Sequence, residues 1–281
     1  MALKLIEGLL RAPGGFMTVA GASIIVFFTA VALAAPFIAP YPPDVNPPGV
    51  GVLEPPSLKN PFGTNELGYD VFSRVVWGAR VVLQVVVLSS IISLLVGVPL
   101  GLVSGYYGGP IDRLLSMVMD SLYAFPGIIL AIAVASVLGP SVINAAIALM
   151  VIYVPTYYRM TRARVLELKS EPFIEALQAM GTPDRLILAR HILPNVAPTI
   201  LVVFGLAGAD AILTEAGLSF FGLVTVYPTP DWGLDLYYGK NYLLNGAWWL
   251  VFFPGAAILT LALGFALLGE GLSERFKVRG E

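Results

Sequence analysis

Six apolar runs, nearly free of charge, limit what this chain can fold into. They cover residues 17–38, 81–103, 114–138, 142–158, 196–224 and 247–268. Most reach the roughly 20 residues that carry a helix across ~30 Å of hydrocarbon; the fourth is the shortest. The runs are unbroken, whereas strands of a membrane barrel would alternate over about 10 residues. Only 12% of the 281 residues are charged, about half the share of a soluble domain. The expected fold is an all-α integral membrane protein with six transmembrane helices. Pro99, Pro126, Pro155, Pro198 and Pro254 fall inside these runs, which neighbouring helices make tolerable. Ala32-Leu33-Ala34 resembles a cleavage site, but the first run outlasts the ~7–15 apolar residues of a signal peptide and reads as a retained helix.

Charge sets the expected orientation. With the N-terminus inside, Lys59, Arg74, Arg80 and Lys240 lie outside and the other twelve of the sixteen Lys and Arg lie inside. That bias follows the positive-inside rule and puts both termini in the cytoplasm. A net charge of −2 gives no global field for nucleic acid. The absence of cysteine rules out disulfides and thiolate chemistry, and the single histidine, His191, leaves little for a metal site. No catalytic constellation is present. The nearest approach to a phosphate-binding loop, residues 233–241, has the wrong glycine spacing and Asn241 after Lys240. Any ATP and Mg must be handled by another chain.

In chain order, residues 1–80 read as a short basic lead, the first helix and an extended proline-rich external connector. Thr64 or Asn65 is placed to cap a helix starting at Glu66, with Arg74 and Arg80 snorkelling at the interface. Residues 81–269 form a five-helix core, and 270–281 a charged tail. Gly97, Gly101, Gly105 and Gly109 recur every four residues and offer one face for close helix approach. Asp120 lies roughly 10 Å into the third span. It is either a functional acid or a headgroup-level one. Pro126 and Gly127 mark a kink. Asp210 and Glu215 share the fifth span; Glu215 is either satisfied near the outer interface or, like Asp210, part of a path or gate. Trp232, Tyr237, Tyr238 and Tyr242 read as boundary anchors in the second external loop.

The polar stretch 167–195 stands apart as a platform on the inner side. Ser170 and Pro172 suit a helix start. Phe173, Ile174, Leu177 and Met180 follow as an apolar stripe, and Gly181 ends the helix. Thr182-Pro183-Asp184 restarts a second helix, with Leu186, Ile187, Leu188, Ile192 and Leu193 as its apolar set, and Pro194 closes it. Such a pair either lies on the bilayer or docks a partner.

Within the platform, EALQAMG (175–181) followed by HILPN (191–195) resembles the EAA loop of ABC-transporter permeases. The stretches NPFGTNELGYDVFSRVVWGAR, TEAGLSFFGL, PTPDWG and FFPGAAILTLALGFALLGEGL resemble one branch, the second permease subunit of dipeptide, oligopeptide and nickel importers. Tyr69, where arginine is usual, and the tail SERFKVRGE depart from that pattern. The resemblance implies a type I importer-like permease in a prokaryotic inner membrane. Its implied partners are a second permease, two ATPase subunits, an external substrate-binding protein and membrane lipid. It implies that Phe173, Glu175, Ala176, Leu177, Gly181, His191 and Pro194 belong to the ATPase-coupling loop. Peptide is the leading cargo, with nickel or oligosaccharide as alternatives. From the residues alone, an ion-coupled transporter using Asp120, Asp210 or Glu215 stays open. An intramembrane enzyme lacks the side chains.

Overall fold

The computed structural model describes residues 13–277. The helices are α1 (Gly15–Ile38), α2 (Val71–Tyr107), α3 (Gly109–Tyr123), α4 (Gly127–Leu138), α5 (Val142–Lys169), α6 (Pro172–Ala179), α7 (Asp184–Phe220), α8 (Trp232–Gly239) and α9 (Trp249–Lys277). Five are long and apolar enough to cross a membrane, and α3 with α4 makes a sixth span bent by 90°. Lys4, Arg11 and Arg279 lie outside the described residues. The expected break at Pro126 is present. Pro126 has no N–H to continue α3 and accepts the first bonds of α4 from Ile129 and Leu130.

The centre of the bundle is the contact of α2 with α5. A Cβ on Gly97 would stand 2.7 Å from the carbonyl of Val154, and one on Gly101 2.7 Å from that of Tyr158. A Cβ on Gly105 would meet Val165 Cβ at 2.8 Å. Three of the four spaced glycines thus let two backbones touch. Gly109 does not join them. Gly108 and Gly109 both take positive φ, 66° and 62°, which ends α2 and turns the chain into α3. The same close approach recurs where Gly205 of α7 meets Gly269 of α9. Helix α9 continues past 269 to Lys277, so no boundary separates core from tail there.

The connector end departs from expectation more than the bundle does. Residues 66–70 form a turn, and α2 starts at Val71 with Asp70 as its cap. Asp70 accepts from Ser73 N and Oγ at 2.8 and 2.7 Å and from Asn60 Nδ2 at 2.8 Å. That arrangement satisfies the helix start better than Thr64 or Asn65 could. The boundary expected at residue 80 falls inside α2. Arg74 does not snorkel: its side chain is 2% exposed. It donates to Asp235 at 2.6 Å and to the carbonyls of Pro43 and Pro228, and lies over the Tyr227 ring at 4.7 Å. Tyr69 flanks Arg74 on another side at 5.7 Å, stacked on Tyr227. Trp232 is no boundary anchor either. It is fully buried against Gly78 and donates to Val75 O at 2.8 Å.

Gly101→Leu is expected to lower stability by ~1–3 kcal/mol or more, because the backbones cannot part without losing the α2–α5 contact. Gly255→Ala, where the added Cβ meets only Leu236 Cδ2 at 3.9 Å, is expected to be neutral or slightly stabilising. Thermal unfolding of the detergent-purified chain, followed by gel filtration, checks both.

Candidate functional site

The platform is built on one buried residue, Tyr106, at the end of α2. Its carbonyl accepts from Lys169 Nζ at 2.6 Å, at the end of α5. Its hydroxyl donates to Asp184 Oδ1 at 2.8 Å, at the start of α7, and accepts from Gln178 of α6 at 3.3 Å. Beneath these bonds Val165, Leu168, Ile174, Ile187, Ile192 and Val196 form a buried cluster with Tyr106. Each large side chain buried there contributes roughly 1.5–3 kcal/mol. The platform is therefore fastened to three membrane helices. None of these partners is near in sequence, so local patterns do not reveal the hub.

The platform's second half differs from the sequence reading. Ser170 does not cap α6; Glu171 precedes it without a side-chain bond, and Ser170 Oγ donates to Glu167 O. Gly181 turns the chain as expected, at φ 75°, with Gly181 N bonded to Gln178 O and Thr182 N to Leu177 O. Thr182 makes no cap, since α7 starts at Asp184 after Pro183. Pro194 does not close a short helix. The chain runs on as α7 through a π-helical stretch, Ile187–Ile192, whose end is bonded from Leu193 N to Leu188 O. A helix carrying Pro194 must leave a carbonyl unbonded one turn earlier, and the wider π turn absorbs that misfit. Asn195 Nδ2 adds a bond to His191 O at 2.6 Å.

This anchoring decides which residues face outward. Phe173, Glu175, Ala176, Met180, Gly181 and Pro194 are exposed, and His191 is half-buried. Leu177 turns inward onto the buried cluster, so Phe173 rather than Leu177 is an outward apolar anchor. A Cβ on Gly181 would meet nothing within 4 Å.

A second polar knot sits beside the platform. Asp112 of α3 receives Arg162 of α5 at 2.5 and 2.7 Å and also the hydroxyl of Ser104. Tyr158 OH joins Ser104 and Ser116 at 2.6 and 2.9 Å. It ties α2, α3 and α5 where α2 turns into α3.

The three candidate acids have different surroundings, so they form no cluster. Asp120 is exposed, 3.8 Å from an exposed Arg159, a pair worth at most about 1 kcal/mol. Asp210 lies part-way along α7, accepts from Tyr153 OH at 2.7 Å, and faces a cavity of about 350 Å³. Glu215 is fully buried. It does not line that cavity, and neither of its oxygens has a hydrogen-bond partner among the described residues, so it is neither a satisfied acid nor one that faces the cavity. Close to it, in the loop before α8, Asp231 caps that helix through Gly233 N at 3.0 Å and takes the hydroxyl of Ser219. Burial pushes the Asp231 carboxyl up to about 6; the Ser219 bond opposes that shift and the nearby Asp235 adds to it.

Comparison with known proteins is consistent along most of the chain. Residues 97–278 match the family described as binding-protein-dependent transport system inner membrane component. The dipeptide transport system permease protein DppC of Alkalihalophilus pseudofirmus is 40% identical over 259 residues, covering 92% of this chain and 84% of that protein. A putative peptide transport system permease protein of Brucella suis is 38% identical over 263 residues, 91% of this chain and 88% of its own. The glutathione transport system permease protein GsiD of Escherichia coli is 39% identical over 266 residues, 94% and 88%.

For Asp231 the folded value lies above the ordinary 3.8. Its burial therefore contributes stability below about pH 4 that is lost as pH rises through about 6. Asp231→Asn keeps the cap and is expected to flatten this part of the melting-temperature profile between pH 4 and 7. An unchanged slope in the variant would place the dependence elsewhere.

Proposed function

The chain belongs to the family of binding-protein-dependent transport system inner membrane components, and we propose that it forms half of a translocation path for short peptides in an ATP-driven importer. The names of its relatives support peptide as cargo. None of the relatives named above carries a nickel or oligosaccharide name. A second permease subunit would supply the other half of the path, a binding protein would deliver cargo from outside, and two ATPase subunits would bind and hydrolyse ATP with Mg. With this assignment the platform faces the cytoplasm and the proline-rich connector faces outward.

The observation that carries this reading is the two-sided construction of α6. Its inner side is bolted to α2, α5 and α7 through Tyr106, Ile174 and Leu177. Its outer side exposes Phe173, Glu175 and Ala176, and Met180 just past its end is exposed as well. A short helix anchored on one side and exposed on the other suits a coupling element that passes a partner's motion into the bundle. ATP binding would close the ATPase pair, the platform would follow, and the permease would turn from inward-open to outward-open as rigid bodies. Phe173, Glu175, Ala176, Gly181, His191 and Pro194 are the residues nearest that contact, with Leu177 acting from beneath.

The complete importer, purified in mild detergent, is expected to retain two ATPases and a second permease with this chain, identified by mass spectrometry. Gly181→Trp is expected to leave the chain in the membrane and abolish ATP-driven uptake in vesicles. Gly181→Asn, which tolerates the same backbone conformation, should keep most of it. Normal uptake by the tryptophan variant would remove the platform from the coupling contact.

Tyr106→Phe removes the hydroxyl from Asp184 and Gln178 while leaving ring and carbonyl in place. Uptake per ATP hydrolysed is expected to fall several-fold with assembly intact. A parallel fall in ATPase activity and uptake would instead indicate plain loss of fold.

A further inference from the structure

The break between α3 and α4 has a second consequence. Beside the 90° bend of the span, a cavity of about 350 Å³ lies between the first turn of α4, α5 and α7. Gly127 and Ile128 of α4, Ile152 of α5, and Leu213, Thr214 and Asp210 of α7 line it. That volume is at the low end of sites for small organic ligands. Ile128, Ile152 and Leu213 give it apolar walls, Thr214 and Asp210 add polar surface, and Asp210 is the one acidic or basic side chain in the lining.

Asp210 is placed rather than merely present. Tyr153, 6% exposed on α5, donates its hydroxyl to Asp210 Oδ2 at 2.7 Å and lies 3.2 Å from Thr214 Oγ1. Oδ1 takes no hydrogen bond from the described residues. Asp210 lies ten residues before the end of α7, roughly 15 Å along the axis, and its side chain is exposed at the cavity. An acid at that depth, beside irregular backbone that lines a cavity, is the pattern of a midplane binding site. A free carboxyl oxygen at such a cavity favours a cationic donor over a neutral one.

We propose that Asp210 is a cation subsite of the translocation path and takes the primary ammonium of a peptide as it crosses. This rests on the peptide reading above. The walls of Ile128, Ile152 and Leu213 would accept the adjoining apolar side chain. Tyr153 is a positioning residue that holds one carboxyl oxygen and leaves the other to the ligand.

The chain has no cysteine, which allows a direct test in the assembled importer. Leu213→Cys places a thiol in the cavity wall with Asp210 intact. A cationic methanethiosulfonate reagent is expected to label it about tenfold faster than an anionic one, read on this chain after separation. Asp210→Asn should bring the ratio near one, and a saturating peptide with a free amino group should slow the labelling. Asp210→Asn alone should cut ATP-driven peptide uptake about tenfold with the complex assembled, while Asp210→Glu keeps a substantial part. Equal labelling by both reagents, a thiol out of reach in the assembled complex, or unchanged uptake by the asparagine variant would overturn the proposal. So would loss of assembly in that variant, which would mean that Asp210 pairs with the partner permease. If the unaltered importer moves no peptide, the cargo reading fails, whereas the labelling ratio still reports on the subsite itself.

Discussion

A peptide group in hydrocarbon has no water to bond, and each irregularity of this backbone answers to that constraint. Six prolines stand inside α1, α2, α5, α7 and α9, two of them, Pro194 and Pro198, in α7. Each removes one N–H, and the helices run through them because packed neighbours exclude competing geometries. The larger departures are confined to places where the freed groups find other partners. The π stretch of α7 lies at the platform, where Asn195 bonds back to His191. The α3–α4 break lies beside a cavity. The connector end, the least regular part, has Asp70, Arg74 and Asp231 to satisfy its turns.

Charge follows the same logic. Arg74 with Asp235, and Arg162 with Asp112, are ion pairs at opposite ends of the bundle, and each has further hydrogen bonds on its remaining atoms. Breaking a buried pair such as Arg74–Asp235 by removing one partner typically costs about 3–5 kcal/mol, since the other charge stays buried; the more exposed Arg162–Asp112 pair is worth less. Such pairs act less as sources of stability than as pins that fix one arrangement of helices. The Arg74 pin also gathers the connector: Pro43, Pro228 and the rings of Tyr69 and Tyr227 all converge on one guanidinium.

Much of the bundle was legible because long apolar periodicity and small-residue spacing are local signals. The spans, the break at Pro126, the turn at Gly181 and the glycine face of α2 follow from residues close in sequence. The sequence misled where a distant partner decides. Arg74 looks like an interfacial arginine until Asp235, 161 residues away, is brought beside it. Gly109 continues a four-residue pattern, yet two successive positive φ values end the helix two residues earlier, at Tyr107. Pro194 has the look of a helix stop, but a π turn carries the chain past it. Leu177 belongs to an apolar stripe whose outward and inward members only the packing separates. The Tyr106 hub joins four elements and has no motif at all.

Helix α2 is continuous over 37 residues, roughly 55 Å. Its first turn is bound to the connector-end cap through Asp70 and Arg74, and its last residues are bound to the platform through Tyr106. The two faces of the protein are thus the two ends of one beam. A tilt of only about 10° around one end would displace the other by roughly 10 Å on that length. The beam has leverage, and the clamps at both ends mean that neither face can yield much alone. Mechanical load applied at the platform is delivered across the full thickness of the protein to the opposite surface.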